Sequence, residues 1–529
     1  MAQITGIQTG TPQDDNILNN VELRFLDQDT AEASVINSTI NTLNGDDRLE
    51  ATTALTAGRP NLSLEAIGIS QSRIDGGVGN DLLTGEATSS GNRIGLDNIF
   101  SGTVRGVGLV RSSVRGGDSS DNLQFNGTGR EGTNITGIGL SSSSAEGGNG
   151  DDTISIMGNA EQVSTLEQST GTATGSENGV VTGGNGQDTI EIVAEVNASN
   201  SSSLDTDGTG IAIAARDSFI NGDGGEDLIE LKAAGFGSTR TELSAASSSE
   251  VRGGGGNDIL RLTTDTNLDL ANNIATDTAE NAAVKENSLV SADAGDDAIL
   301  INSKAISSTE ASIFGVKDST VKGGDGRDRI EISSRLDSAS GNAFGVSGVD
   351  IDGGNDNDSI FIRADIDGMA SGASATQSTI SGGAGDDIIS FSVGGTRSGR
   401  TPEATALRNS KVYGNSGNDS ISTSTSQIGA SYDIIDSHLF GGAGDDLFNV
   451  GIGNGKIVGG AGNDSASLDY LNGASTTAAA IPNGVRISGT QTKTGEDGPW
   501  TQDILGVETY FVNGLAYTND SLVGLFGGA

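Results

Sequence analysis

Cysteine is absent from this 529-residue chain, and histidine occurs once, at His438. The absence of cysteine excludes disulfides and zinc-thiolate sites. Only 4% of the residues are aromatic, and no run of 18 apolar residues occurs, so we expect no membrane span. The first residues, MAQITGIQTGTPQDDN, lack the basic and apolar regions of a cleaved signal peptide. We therefore expect a product that is intracellular or exported by a route reading another signal.

Basic side chains are also scarce. The chain has 29 basic residues against 71 acidic ones, which gives a net charge of −42. Such a chain should attract cations and avoid nucleic acid and anionic lipid. A solvated acidic surface would explain the charge, but much of the acid recurs at one position beside glycines. A cation-binding array explains that recurrence better.

The most abundant feature is a glycine-aspartate turn, as in GGNGDDTISI (147–156) and GGAGDDIISF (382–391), with 82 glycines in the chain. The turns recur at a mean spacing of about 33 residues, and a period of 20–50 residues indicates a solenoid or a similar array. The last carboxylates of the fourteen turns are Asp47, Asp81, Asp121, Asp152, Asp188, Asp227, Asp258, Asp297, Asp328, Asp358, Asp387, Asp419, Asp446 and Asp464.

Apolar residues keep fixed places around each turn aspartate, which is counted below as position 0. Position −7 is apolar in all fourteen copies, and position +2 is Leu, Ile or Phe in thirteen. Several copies carry another apolar pair at −14 and −12, separated by a glycine. Such alternation is typical of strands with one buried face. Each coil is therefore predicted as strand, bend, strand, Asp loop and strand, followed by a variable polar excursion.

These positions predict an all-β protein, a parallel β-solenoid (β-roll or β-helix) of about 14 coils of roughly 33 residues. The Asp loops should stack along one edge. We assign residues 1–30 to an incomplete N-terminal coil, with a local cap as the alternative. Residues 31–469 are the solenoid, and residues 470–529 are a closing segment that carries Trp500, Tyr510, Phe511 and Tyr517.

Serine occupies position −9 in eleven of the fourteen copies, for example Ser112 and Ser249. Equivalent positions in a parallel stack lie about 4.8 Å apart, so these serines could form a hydrogen-bonded ladder at a corner. The alternative is a simple turn preference, because serine is common in turns. Either interpretation is structural rather than catalytic.

The turns are candidate calcium sites. Calcium takes six to eight oxygen ligands from carboxylates and carbonyls, and glycine can turn its carbonyls toward one point by adopting positive φ. One loop cannot supply enough ligands, whereas two loops stacked at strand spacing can enclose an ion. A metal-free solenoid is the alternative. The candidate ligand residues are Gly76, Gly79, Asp81, Asp121, Gly147, Gly150, Asp152, Gly183, Gly186, Asp188, Gly225, Asp227, Gly253, Gly256, Asp258, Gly295, Asp297, Gly323, Gly326, Asp328, Asp358, Gly382, Gly385, Asp387, Gly417, Asp419, Gly441, Gly444, Asp446, Gly459, Gly462 and Asp464.

These loops resemble the GGxGxDxUx calcium-binding nonapeptide repeats of RTX proteins. The resemblance implies Ca²⁺ in the gaps between stacked loops, up to about one ion per gap, and folding triggered by extracellular calcium. It also implies type I export through an uncleaved C-terminal signal. RTX tracts repeat every nine residues, whereas here one motif serves about 33, so we expect a single row of ions. Degraded turns at Ser119, Asp356, Ala292 and Thr42 should bind weakly or stay empty.

Among RTX proteins, the chain resembles the oscillin-type surface fibril proteins of cyanobacteria. We therefore expect a secreted, extracellular structural protein of a bacterial cell surface that assembles head-to-tail with itself into filaments or a surface layer. Cell-surface polysaccharide is a further candidate partner. The alternatives are a polysaccharide lyase or epimerase and a calcium-rigidified adhesin. We expect no enzyme, because the basic residues are scattered and no catalytic motif occurs; His438 should be a surface residue.

Overall fold

The computed structural model describes residues 4–26, 28, 30–57, 62–91, 102–162, 170–198, 209–236, 240–267, 279–368, 371–395, 404–425, 432–468, 476–492 and 497–526. Strands make up 76% of the structure and helix 2%. Neighbouring coils pair in parallel, in register, throughout most of it. The predicted all-β parallel solenoid is confirmed.

In the described residues, 44 strands precede one helix. The strands up to the middle of the chain are β1 (Ile4–Thr9), β2 (Asn16–Leu26), β3 (Thr30–Asn41), β4 (Arg48–Ala57), β5 (Leu64–Ser70), β6 (Arg73–Val78), β7 (Leu82–Ser90), β8 (Thr103–Val110), β9 (Ser113–Asp118), β10 (Asn122–Arg130), β11 (Asn134–Ser141), β12 (Ser144–Asn149), β13 (Thr153–Gln162), β14 (Thr170–Glu177), β15 (Val180–Asn185), β16 (Thr189–Ala198), β17 (Thr209–Arg216), β18 (Phe219–Gly224), β19 (Leu228–Phe236), β20 (Arg240–Ser247), β21 (Glu250–Gly255), β22 (Ile259–Asn267), β23 (Ala279–Lys285) and β24 (Leu289–Ala294).

The remaining elements are β25 (Ala298–Lys317), β26 (Thr320–Asp325), β27 (Arg329–Ser347), β28 (Asp350–Asn355), β29 (Ser359–Gly368), β30 (Ser371–Thr376), β31 (Thr379–Ala384), β32 (Ile388–Gly394), β33 (Ala404–Arg408), β34 (Lys411–Ser416), β35 (Ser420–Thr425), β36 (Tyr432–Ala443), β37 (Leu447–Asn449), β38 (Gly453–Ala461), β39 (Ser465–Ser467), β40 (Thr476–Ile481), β41 (Gly484–Thr492), β42 (Asp497–Leu505), β43 (Thr509–Val512), β44 (Leu515–Tyr517) and α1 (Asn519–Phe526).

The chain divides into two compact units. The first comprises Met1–Val290 with Lys304–Thr309, and the second comprises Ser291–Ser303 with Glu310–Ala529. Both are built from the same coil of three strands.

One coil of the first unit runs through β8, β9 and β10. The next coil, β11 to β13, adds to it with each residue opposite its repeat equivalent, as in Val114 opposite Ala145 and Leu123 opposite Ile154. The predicted core positions −7 and +2, here Val114 and Leu123, have no exposed surface, and neither does Phe125 at position +4. The second unit repeats the arrangement, with Ile351 opposite Ile380 and Ile360 opposite Ile389.

The interior of a coil is narrow because the first and third strands approach each other through glycine. Gly108 lies at position −13 inside β8, and a Cβ atom there would lie 2.6 Å from the backbone nitrogen of Asn126 in β10. A side chain at this position would push the two strands apart. The shortage of aromatic residues follows from this spacing, because the cross-section has little room for large rings.

The bend between the first two strands consists of a residue in the left-handed backbone conformation, followed by serine. Position −10 takes φ near +50° in most coils, as in Arg111 (48°) and Ser248 (50°). The Oγ atom of Ser112 at position −9 donates to the carbonyl of Val110 at 2.8 Å and accepts from the N–H of Ser72 at 3.0 Å. The predicted serine ladder is therefore present, and it satisfies backbone groups that the bend leaves outside the sheet.

The serine ladder continues through most coils of both units. In each step the backbone N–H of one serine donates to Oγ of the serine in the next coil. The pairs in the first unit are Ser38 to Ser72, Ser72 to Ser112, Ser112 to Ser143, Ser218 to Ser249 and Ser249 to Ser288. Those in the second unit are Ser378 to Ser410 and Ser410 to Ser437. Where Gly179 interrupts the ladder, Ser176 supplies a hydroxyl 3.0 Å from Oγ of Ser218.

The stack has different ends in the two units. In the first, β1 and β2 extend the parallel stack by pairing with β3 and β4, and Ile17 lies opposite Leu49. In the second, β42 and β43 pair in parallel with β38 and β39 and antiparallel with β41 and β44. The helix α1 contacts β40, β41, β43 and β44. The C-terminal segment thus converts a parallel stack into antiparallel hairpins.

Candidate metal centre

The turn aspartates lie in the loop between the second and third strands of each coil, with their side chains directed inward. All fourteen are only 1–3% exposed. The loop is held in place by the ladder of the third strand, in which the N–H of Thr153 donates to the carbonyl of Asp121 at 2.8 Å. Each carboxylate is thereby fixed at the start of a buried strand.

One oxygen of each carboxylate belongs to a ladder that joins successive coils. The N–H of Asp152 donates to Oδ1 of Asp188 at 2.8 Å, and the N–H of Asp188 donates to Oδ1 of Asp227 at 2.8 Å. In the first unit this inner ladder begins at Asp15 and reaches Asp258. In the second it runs from Asp297 to Asp464, whose N–H donates to Glu508.

The second oxygen has no hydrogen-bond partner in most copies. A buried carboxylate oxygen without a donor is costly, so it calls for a proton or a cation. The unpartnered Oδ2 atoms belong to Asp47, Asp81, Asp121, Asp152, Asp188, Asp227, Asp328, Asp358, Asp387, Asp419, Asp446 and Asp464.

Glycine at position −5 makes the space that these oxygens face. A Cβ atom on Gly183 would overlap Oδ2 of Asp188 and lie 2.7 Å from the carbonyl oxygen of Gly222 in the next coil. Gly147 faces Oδ2 of Asp152 and the carbonyl of Gly183 in the same way. A carboxylate oxygen and a backbone carbonyl of the following coil therefore converge in front of each such glycine. We call this arrangement the cradle.

Positive φ occurs at positions −4 and −2 and not at −5. In the loop of Asp152, Gly148 has a φ of 127° and Gly150 has a φ of 124°. The expectation that glycine serves these loops through positive φ is therefore wrong for position −5, where the absence of a side chain matters. In the degraded turns, Ser119 and Asp356 still adopt positive φ, at 89° and 73°. These loops keep the backbone path of the intact copies.

Burial perturbs the carboxylates strongly. Desolvation raises the pKa of Asp121 and of Asp358 to about 8, against an ordinary value of 3.8. It raises the pKa of Asp188 to about 7. In each case the hydrogen bond from the preceding aspartate N–H opposes the rise, and neighbouring carboxylates add to it. Without a cation the column therefore holds protons at pH values where exposed aspartates hold none.

Two copies lack glycine at position −5, and there a side chain occupies the cradle. The Thr42 hydroxyl donates to the carbonyl oxygen of Gly76, which is one of the converging oxygens. At the turn of Asp297 the position is held by Ala292, a fully buried residue whose methyl group takes the same place. The first cradle of the series is thus closed by a hydroxyl and the one at Asp297 by a methyl group.

The cradle suits a hard cation. Its donors are a carboxylate and backbone carbonyls, the ligand types that Ca²⁺ prefers. Among the described residues no group of three or more acidic, histidine or cysteine side chains converges on one point. Carbonyl groups of two stacked loops would therefore have to complete the coordination. The unpartnered Oδ2 atoms and the carbonyls beside them make the residues present compatible with calcium.

The predicted residues occupy different places in this geometry. The aspartates and the glycines at −5, such as Gly147 and Gly183, form the cradles. The glycines at −2, such as Gly150 and Gly186, stack on one another instead, since a Cβ on Gly186 would overlap the carbonyl of Gly150. Four further glycines at −5 were left out of the predicted set, although the rule for that position would have found them: Gly116, Gly222, Gly353 and Gly414.

A second ladder, at position −1, was not predicted. The N–H of Gln187 donates to Oδ1 of Asp151 at 2.9 Å, and the N–H of Asn463 donates to Oδ1 of Asp445 at 2.8 Å. Here the later coil donates to the earlier one, the reverse of the inner ladder. This outer ladder is exposed, and in the second unit it alternates charged and neutral acceptors along Asn357, Asp386, Asn418 and Asp445. The alternation keeps carboxylates apart in successive coils.

The comparison with protein families agrees with the site. The family model of the RTX calcium-binding nonapeptide repeat matches four copies, over residues 72–88, 375–395 and 436–466. RTX nonapeptide repeats bind calcium, and RTX repeat proteins are typically secreted and structural or toxin-like. No curated protein matches the chain. Within the described part of the chain, no helix has the length and apolar character needed to cross a bilayer.

Proposed function

We propose that this chain, which carries RTX calcium-binding nonapeptide repeats, is a secreted, calcium-dependent structural protein of a bacterial cell surface, exported by a type I system. The observation that carries the proposal is the column of buried Oδ2 atoms without hydrogen-bond donors. Calcium in the cradles would neutralise this column. The extracellular space offers that calcium, so the solenoid would become rigid after export.

We further propose that copies of the chain associate head-to-tail. In the described residues, the outer edges of β1 and β2 carry no strand partner. Ile7 is 81% exposed and Leu18 is 59% exposed on these strands. Unpaired strand edges with apolar side chains favour strand-to-strand association. A heterologous contact of this kind gives an open filament unless the rotation closes a ring.

The C-terminal segment is the surface that such a contact would meet. Among the described residues, β40 hydrogen-bonds only to β41 and β44 only to β43, and α1 contacts both strands. Because these strands are antiparallel hairpins, the parallel stack cannot continue unchanged from one copy to the next. The contact would therefore be a specific junction between unlike ends.

Negative-stain electron microscopy of the purified chain tests both parts of the proposal. In millimolar calcium we expect filaments or sheets, and after chelation we expect their loss. Ile7→Lys should shorten or abolish them, because the charge would lie in the junction. Ile388→Lys, at a residue 47% exposed in the second unit, is the matched control. Discrete monomers in calcium would refute assembly, and a chain indifferent to calcium in its melting temperature would refute the calcium dependence.

A further inference from the structure

Three basic residues follow one another on an exposed face of the second unit. Position −8 is Lys411 in β34, His438 in β36 and Lys456 in β38. Strand pairing places Lys411 opposite His438 and His438 opposite Lys456. Lys411 and His438 are exposed, and Lys456 is half-buried. Equivalent positions repeat at about 4.8 Å, so two ammonium groups and the imidazole between them form a short row, called the basic row, in a chain of net charge −42.

An aromatic pair runs beside this row. Tyr413 and Phe440, at position −6 of the same strands, stack with ring centroids 4.9 Å apart and an interplanar angle of 8°. The His438 ring meets Phe440 edge-on, with centroids 6.2 Å apart. Both members of the pair are half-buried, so part of each ring stays at the surface. Val458 continues the apolar strip in the next coil.

The exposure of Lys411 and His438 leaves the basic row accessible to a ligand. The next coil places Asp503 opposite Lys456, but Arg486 already holds that carboxylate through bonds of 2.6 and 2.8 Å. Other coils of the second unit carry different residues at positions −8 and −6: Asp350 and Asp352 in β28, Thr320 and Lys322 in β26, and Thr379 and Ser381 in β31. Among the described residues of the second unit, the basic row and the aromatic strip therefore occur together only in these three coils.

We propose that Lys411, Tyr413, His438, Phe440 and Lys456 bind a linear anionic polysaccharide. The apolar faces of pyranose rings pack against aromatic side chains, and carboxylate or sulfate groups of the polymer would pair with the basic row. An extended pyranose chain advances per residue by a distance comparable to the strand spacing, so charges on successive sugars can meet successive coils. An acidic polypeptide would satisfy the charges but would not use the aromatic strip. The polysaccharide would be a partner of the proposed surface protein. Only the place where the two would meet, outside the cell, rests on the proposed function.

Binding is measured with the full chain in calcium, by calorimetry against polygalacturonate fragments too short to gel with calcium, with neutral dextran as the comparison polymer and injection into protein-free calcium buffer as the blank. We expect binding to polygalacturonate alone. Tyr413→Ala combined with Phe440→Ala should weaken it at least tenfold, and so should Lys411→Ala combined with Lys456→Ala. The control is Arg73→Ala, a basic residue at position −8 of the first unit whose neighbour at −6 is Asp75; it should change nothing.

Each contrary outcome overturns the proposal. Equal binding to dextran would remove the role of charge, and undiminished binding by either double variant would place the site elsewhere. A change in oligomeric state caused by the aromatic double variant, without polymer binding by the parent chain, would assign the face to contact between copies. Filament formation is scored separately, so failure of assembly and failure of polysaccharide binding are distinguishable.

Discussion

Asp152 and Asp188 are 36 residues apart in the chain, yet the backbone N–H of the first donates to Oδ1 of the second at 2.8 Å. The same bond recurs across intervals between 18 and 40 residues. One loop therefore orients the carboxylate of the next, whatever the length of the connection between them. The orientation leaves Oδ2 facing the glycine at −5, which is why that glycine and the aspartate have to be considered as one site.

Gly183→Ala should damage one cradle. Its methyl group would overlap Oδ2 of Asp188 and crowd the carbonyl of Gly222, and overpacking of this kind costs about 1–3 kcal/mol. We expect one fewer bound calcium per chain, measured by equilibrium dialysis, and faster hydrogen exchange of the Asp152 amide. Gly224→Ala is the control, because the nearest atom to a Cβ there lies 3.7 Å away. An unchanged calcium count in Gly183→Ala would show that the cradle is not the binding place.

Thr42→Gly should act in the opposite direction. The substitution removes the hydroxyl that now donates to the carbonyl of Gly76, and it opens a cradle beside Oδ2 of Asp47. We expect one additional calcium ion per chain by the same dialysis measurement. Thr39→Gly, at an exposed residue near the end of β3, the strand that Thr42 follows, controls for the added backbone freedom of glycine. A count that stays constant in Thr42→Gly would contradict the assignment.

Stability without calcium should fall as the pH rises. Burial places the pKa of Asp188 at about 7 and that of Asp121 at about 8, above their value in the unfolded chain. The folded state therefore binds more protons, so its advantage is complete below the unfolded pKa and is lost as the pH rises through 7 and 8. The melting temperature of calcium-free protein should decrease between about pH 5 and pH 8.

Calcium should remove most of this pH dependence, because the ion replaces the protons, and its binding near neutral pH should release protons into a weakly buffered solution. Asp121→Asn should flatten the calcium-free pH profile, since an amide does not ionise and keeps the Oδ1 acceptor. A calcium-free melting temperature that is constant or increases over this range would contradict the prediction.

Ser112→Ala should destabilise the bend between the first two strands. The hydroxyl accepts from the N–H of Ser72 and donates to the carbonyl of Val110, and leaving a buried polar group unsatisfied costs about 1–3 kcal/mol. We expect a lower melting temperature in calcium and loss of exchange protection at the Ser72 amide. Ser113→Ala alters an exposed neighbour and should have little effect. Equal effects from the two variants would mean that the ladder adds no stability.

The sequence was sufficient for the features that repeat at fixed distances from the aspartate. Val114 and Leu123 are buried as their positions predict, and Ser112 forms the predicted ladder. His438 is exposed, also as predicted. These features depend on the alternation of buried and exposed residues along a strand and on stacking in register. Both leave a regular pattern in the amino-acid sequence.

Other features depend on relationships between coils that spacing does not reveal. Nothing in the sequence says that the N–H of one aspartate meets Oδ1 of the next, or that Gln187 and Asp151 form a second ladder running the opposite way. The turn pattern also does not show that Gly147 is needed because a Cβ atom would not fit, whereas Gly148 is needed because its φ is positive. Each of these requires the offset between stacked loops in three dimensions.

The inner ladder also makes the coil an interchangeable part. Within each unit, an aspartate loop inside the ladder gives one hydrogen bond to the following coil and takes one from the preceding coil, so successive loops offer the same donor and the same acceptor. Removal of residues 122–152 would leave Asp121 followed by Thr153 and facing Asp188, a junction of the kind already present elsewhere. Whole coils can therefore be gained, lost or transplanted while the same hydrogen bonds form between neighbouring loops. Insertion or deletion of part of a coil would instead shift the later aspartate loops out of register with the earlier ones.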